Sequence, residues 1–250
     1  MPYDPTKHAG AGLEDLDDST KMPLLNIIQQ VSPQLIDGDD KYIEGSKAGD
    51  VFFSPTGEIV EKPIKFVPIA LRTVYVEWKP KTEGGGIVNM HPISIKGRAD
   101  LGYKQGVKTQ YDEWLGDNEL KKTTYVMGHA EINGERTDVM LALAVTGQKV
   151  SRKLQDEIRK FRYDGDLADT PPPVFAREFD LTTIRETNSN DQSYFNWKFE
   201  NPRVLDFTED EALLETCGEK FEEAQTLLPS PQATEAQPAL TAGDDTDTPY

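Results

Sequence analysis

Residues 123–161 read TTYVMGHAEINGERTDVMLALAVTGQKVSRKLQDEIRKF, and two periodicities meet within them. The first half is rich in β-branched and aromatic residues on both sides of Asn133-Gly134. An Asn-Gly pair suits the two positive-φ positions of a tight hairpin turn, so Thr123–Ile132 and Thr137–Val145 are expected to pair as antiparallel strands. The second half changes period. Val150, Leu154, Ile158 and Phe161 recur at spacings of four, four and three, which is a helical stripe. Ser151 is one candidate for the start of that helix, with Thr146 and Gly147 as alternatives. A hairpin leading directly into a helix is the element on which the fold assignment turns.

Upstream, Val51–Phe53 and Glu58–Val60 flank Ser54-Pro55-Thr56-Gly57 and read as a second hairpin. Ile64–Lys79 reads as one long strand, and Ile87–Ile95 resumes extended structure after the triple glycine Gly84–Gly86. Leu24–Val31 is a short apolar patch after Pro23 and is expected to form one or two helical turns on the core. Gly97–Gly106 reads as loop. Downstream, Pro171–Pro173 makes a stiff connection. Val174–Arg185 and Tyr194–Phe199 then read as strands about a turn at Asn188–Asp191. Thr208–Leu228 reads as an acidic helix, with Thr208 and Glu211 in capping-box spacing and Gly218 as an interruption.

The expected fold is mainly β. Strands, one inserted helix and two further strands follow the plan of an OB-fold barrel with extra N-terminal strands. A β-sandwich carrying an inserted helix gives the same order. Four segments result: a polar arm at 1–21, an OB-like core at 22–207, an acidic helix at 208–228 and an acidic tail at 229–250. The tail is rich in Pro, Ala, Thr, Gln and Asp, a composition expected to stay unfolded by itself.

Charge is unevenly placed. The chain carries a formal net charge of −17. Residues 60–205 hold 22 basic and 21 acidic side chains, whereas 206–250 hold 1 basic and 12 acidic. The ends therefore carry the negative charge, and a near-neutral core can still collect cations on one face. Cys217 is the sole cysteine, so no intramolecular disulfide is possible. No apolar stretch is long enough for a membrane helix, and no secretory signal opens the chain. The expected location is the cytoplasm, that of the host cell for a phage-encoded protein. The three histidines are scattered, no cysteine pair exists, and neither a nucleophile-elbow nor a phosphate-loop motif occurs. No enzyme, metal site or cofactor is expected.

Binding of single-stranded nucleic acid requires cations along the phosphates and aromatic faces for the bases. Four segments interleave the two. Arg72, Tyr75, Trp78 and Lys79 share the long strand and its end. Arg98, Tyr103, Lys104, Lys108, Tyr111 and Trp114 share one loop, the leading candidate because so few apolar residues anchor it. Lys149, Arg152 and Lys153 open the helix, and Arg159, Lys160, Arg162 and Tyr163 close it. Tyr194 and Lys198 lie in the last strand. Alternation puts Tyr75 and Trp78 on opposite faces, so at least one belongs to the core. It also turns Phe195, Trp197 and Phe199 inward and leaves Tyr194 and Lys198 exposed.

Ile64–Trp78, ending in RTVYVEW, and Val139–Lys153 followed by Pro173–Trp197 resemble segments of bacteriophage single-stranded DNA-binding replication proteins. Several of those join one OB-fold to an acidic C-terminal tail ending in an aromatic residue, here Asp244, Asp245, Asp247 and Tyr250. The resemblance covers roughly 45–205 and the tail. It implies sequence-independent binding of transient single strands during phage replication. It further implies a tail that competes for the DNA groove and recruits a polymerase, primase or helicase. The competing expectation is a phage interaction or virion-associated protein that binds no nucleic acid.

Overall fold

The computed structural model describes residues 22–54, 56–188 and 191–228. In chain order its elements are β1 (Leu25–Ile27), β2 (Val51–Phe53), β3 (Glu58–Val60), β4 (Ile64–Trp78), β5 (Ile87–His91), β6 (Tyr103–Gln105), β7 (Glu113–Leu115), β8 (Asn118–Ile132), β9 (Glu135–Ala144), α1 (Gly147–Lys160), β10 (Arg177–Thr187), β11 (Ser193–Val204) and α2 (Glu211–Leu227). The protein is mainly β, with antiparallel sheets and two α-helices among the described residues. None of these helices is long and apolar enough to cross a membrane.

The Asn-Gly hairpin forms as read. Asn133 and Gly134 have φ of 53° and 83°, both positive as a type I′ turn demands. β8 and β9 then pair without slippage from Ile132↔Glu135 to Thr123↔Ala144. β4 and β8, 15 residues each, form the spine of the larger sheet. At about 3.3 Å per residue each spans roughly 50 Å, far longer than any one partner. Different strands therefore join at the two ends. β10, β11 and β9 gather at one end, with β10 on β4 through Phe179↔Phe66 to Leu181↔Ile64. β5 on β4, and β7 then β6 on β8, build an arm at the other. Pro68, which has no N–H to donate, sits where the β4–β8 register shifts, the position at which a central strand tolerates proline.

The sheet is covered on both faces. Phe66, Val126, Leu141, Leu143, Phe179 and Trp197 form one core with Val150 and Leu154 of α1 and with Leu25, Val51 and Val60 of the small β1-β2-β3 sheet. Val67, Ile69, Met127 and Met140 face the other way, against Cys217, Ala224 and Leu228 at α2. The alternation of β9 is the reason: Val139, Leu141 and Leu143 enter the first core, while Met140 enters the second.

Several expectations change. β9 and β11 do not pair, so the described strands close no barrel; α1 and β1 contact both strands across the seam. Leu24–Val31 supplies β1 rather than helical turns, because Leu25, Asn26 and Ile27 find partners at Phe53, Phe52 and Val51. The extended run from Ile87 ends at His91, and Ile93–Ile95 turns as a 3-10 segment. α1 starts at Gly147 after Thr146, the earlier of the alternatives, and Ser151 is buried within it. Thr208 is not a cap: α2 begins at Glu211 behind Asp210, and Asp206 takes the amides of Thr208 and Glu209. Gly218 does not interrupt α2.

Candidate nucleic-acid interface

α1 is held by its apolar stripe, so its remaining faces are set by default. Arg152, Lys153, Arg159 and Lys160 are exposed, and Arg162 follows just beyond the helix. Arg152 and Arg159, like Lys153 and Lys160, are seven residues apart, two turns and roughly 10 Å along one side. Among the described residues none of these five has a carboxylate at ion-pair distance; Arg162 instead donates to the Arg159 and Phe161 carbonyls. Of the intervening acids, Glu157 pairs with Arg177 at 3.4 Å, and Asp156 stays exposed.

Lys149 differs. Its Nζ lies 2.6 Å from Glu186 Oε2 and 3.3 Å from the Tyr194 hydroxyl. The Glu186 hydrogen bond raises the ammonium above its ordinary range, against the opposing pull of burial. Tyr194 is 5% exposed, correcting the expectation of an open ring: it is enclosed beneath Lys149. Lys198 is paired with Glu200 across an exposed position.

The loop from Arg98 to Trp114 is not the loosely anchored segment its composition implied. It contains β6 and β7, and Tyr103 and Leu115 pack on the buried Tyr75, Ile95 and Leu120. The tyrosines serve structure here. Tyr103 and Tyr75 donate to Glu113 Oε1 at 2.6 and 3.2 Å, and Lys96 approaches the same oxygen at 2.9 Å. Burial pushes the Glu113 carboxyl up, but these donors outweigh it and hold it below its usual range. Both phenols are pushed up, by burial first and by Glu113 second.

Tyr75 and Trp114 are therefore closed to a ligand, and Lys108 covers Trp114 with its ammonium 4.3 Å from the ring centroid. Trp78 is half-buried, packed against the core that includes Val76 and Met90. Arg98 is engaged by Asp100, Lys104 by the Gly116 carbonyl, and Arg72 by the Leu228 carbonyl at 2.8 Å. Tyr111 is 79% exposed, and Lys79 is exposed at the end of β4. The structure thus leaves Tyr111 as the open aromatic on the arm and Arg152 and Lys153 as the open cations on α1. Asp244, Asp245, Asp247 and Tyr250 lie outside the described residues, as does the arm at 1–21.

One feature had no signal in the sequence. A cleft of about 680 Å³ opens at the unpaired seam, lined on one bank by Ala142 and Ala144 of β9 and on the other by Phe195 and Asn196 of β11. Gln29 reaches across 166 positions of sequence to donate to and accept from the main chain of Phe195, both at 2.9 Å. Asn196 ties this bank to the start of α1 through the Thr146 carbonyl and to Glu186. Contacts of that range leave no local pattern to read.

Comparison with known proteins adds one relationship. Residues 2–236 match the family model described as Pam3 phage gp34-like protein. No curated protein and no solved structure matches the chain.

Proposed function

The chain belongs to the Pam3 phage gp34-like family, and we propose, on the grounds that follow, that it is a phage-encoded, non-catalytic protein that binds single-stranded DNA without strong sequence preference. The observation that carries this reading is the cationic exposed side of α1, where Arg152, Lys153, Arg159, Lys160 and Arg162 have no acidic partner among the described residues. Lysines and arginines without an internal carboxylate partner can release counterions to phosphate at no cost in broken ion pairs.

Strand order supports an OB-like reading. β4 is joined to both β8 and β10, β9 follows β8, α1 comes next, and β11 pairs with β10. That is the pairing of a five-stranded OB barrel with one seam left open. OB barrels commonly bind on the outer face of their second and third strands. Here those are β8 and β9, and α2 already covers Met127 and Met140 on that face. The reading therefore places the strand along α1 and the adjoining seam. In the same reading the acidic end of the chain competes for the cations and recruits replication proteins.

Titration of a labelled oligo-dT with the full chain across a salt series tests this. Each phosphate contact contributes about 0.7 to the slope of log K on log salt. Reversing Arg152, Lys153, Arg159 and Lys160 to Glu should therefore flatten the slope by about 3 and weaken binding at low salt. Absence of binding by the unaltered chain at low salt refutes the proposal. A second reading, an interaction or virion-associated protein that binds no nucleic acid, is favoured by apolar residues exposed on the arm, namely Val88, Ile93, Leu101, Val107 and Tyr111. Failure to bind oligo-dT together with co-sedimentation with phage particles would select it.

A further inference from the structure

The outer edge of β9 is an unfilled strand-pairing site. The Met140 amide donates to the Pro23 carbonyl at 2.8 Å, pointing away from β8. In an antiparallel ladder that direction recurs at every second residue, so the main-chain groups of Ala142 and Ala144 point the same way. The chain pairs with β9 at the parallel bridge Leu24↔Met140, just before β1, and β1 then takes its main-chain pairing from β2. Among the described residues no backbone group or side chain bonds the Ala142 or Ala144 amide, and Ala142 is exposed. The facing bank is different, because the edge groups of Phe195 are already held by the Gln29 amide.

The end of α2 lies close to this edge. Arg72, Tyr125 and Ala142 form one row across β4, β8 and β9. Arg72 holds the Leu228 carbonyl, so the chain leaves α2 above that row. Two strand spacings, roughly 10 Å, separate Arg72 from Ala142 along the row. Gln232 follows Leu228 by four residues, a reach of at most about 13 Å. From Gln232 to Gln237 the sequence is QATEAQ, a proline-free run bounded by Pro231 and Pro238. Every residue in it keeps the N–H that a ladder requires. The family match ends at residue 236, so it takes in most of this run and stops before the Asp-rich end.

We propose that Gln232–Gln237 adds to the Ala142–Ala144 edge of β9 as an extra strand, docking the chain's own C-terminal segment across the seam. Main-chain hydrogen bonds supply the affinity, as in strand addition to any open sheet edge. The docking does not rest on DNA binding.

Amide hydrogen exchange of Ala142 and Ala144, followed by NMR in the full chain, tests the proposal. The comparison is the full chain carrying Thr234→Pro and Glu235→Pro, which removes one donor of each parity, and so one ladder donor in either register, without touching the described fold. Exchange at both alanines should be at least about tenfold slower in the unaltered chain. Equally fast exchange in both chains overturns the proposal. So does protection that survives the prolines, and protection that grows with protein concentration assigns the edge to a second copy instead. None of these outcomes depends on whether oligo-dT binds.

Discussion

Gly128 is a glycine for want of space, and replacing it tests the packing at the heart of the sheet. A Cβ built on Gly128 lies 2.0 Å from Phe66 Cζ and 2.4 and 2.7 Å from its two Cε atoms. Carbon atoms settle at about 3.5–4.0 Å, so the ring must withdraw by roughly 1.5 Å. It has nowhere to go. Phe66 is fully buried and meets Phe199 edge-on at 5.7 Å, and Phe199 in turn meets Phe179 at 5.8 Å. Gly128→Ala gains roughly 0.5–1 kcal/mol from reduced freedom of the unfolded chain. Overpacking of a closed core costs about 2–3 kcal/mol, so the steric effect prevails. With a urea m-value near 2 kcal/mol/M, the net loss of about 1–2.5 kcal/mol lowers the unfolding midpoint by roughly 0.5–1.3 M. Phe66→Leu should cost about 1–1.5 kcal/mol alone, and it clears the space that the new methyl needs. The double variant should therefore be at least about 1 kcal/mol more stable than additivity allows. Additive losses, or a Gly128→Ala midpoint equal to wild type, would refute the reasoning.

Three other outcomes are expected. Glu178 is 4% exposed and pairs with Arg136 at 2.6 Å and Arg203 at 3.2 Å, while Arg136 Nη1 is buried without a partner. Glu178→Gln removes one carboxylate from each arginine, but Arg203 keeps Asp210 at 2.7 Å and Arg136 keeps Glu131 at 3.5 Å, so it should cost about 2 kcal/mol in urea unfolding, below the full cost of a broken buried pair. The Cys217 thiol is enclosed beneath α2, and burial pushes it up to about 12. Ellman's reagent should label it only at the rate at which the α2 face opens, rising with urea; rapid stoichiometric labelling of the native protein contradicts this. Asp138 bonds His129 at 2.8 Å and Lys220 of α2 at 3.2 Å. Burial pushes its carboxyl up, but the His129 and Lys220 hydrogen bonds outweigh that and hold it below its ordinary value. A depressed carboxylate stabilises the fold above its unfolded pKa of about 3.9, and that contribution fades as pH falls through the folded value. Asp138→Asn should flatten the acid limb of stability against pH by up to about one proton; an unchanged limb shows that Asp138 does not couple to folding.

Local sequence determined the elements that rest on short-range rules. Asn133-Gly134 specified its hairpin because both positions must reach positive φ, and the stripe from Val150 to Phe161 specified α1. The same stripe left Arg152, Lys153, Arg159 and Lys160 outside, so the cationic face of α1 was legible before any fold was known. Burial was not. Tyr75, Trp114 and Tyr194 look like stacking platforms beside their cations, yet Glu113, Lys108 and Lys149 belong to the contacts that enclose them. An aromatic beside a lysine reads the same whether the ring faces solvent or core. Tertiary structure alone decided that β9 and β11 stay apart, because β1, Gln29 and α1 brace the two banks of the open seam through contacts between distant parts of the chain. It alone decided, too, that α2 lies over Met127 and Met140. Hydrogen-bond parity along one strand can be counted from the sequence. Which edge remains open depends on where every other strand has gone.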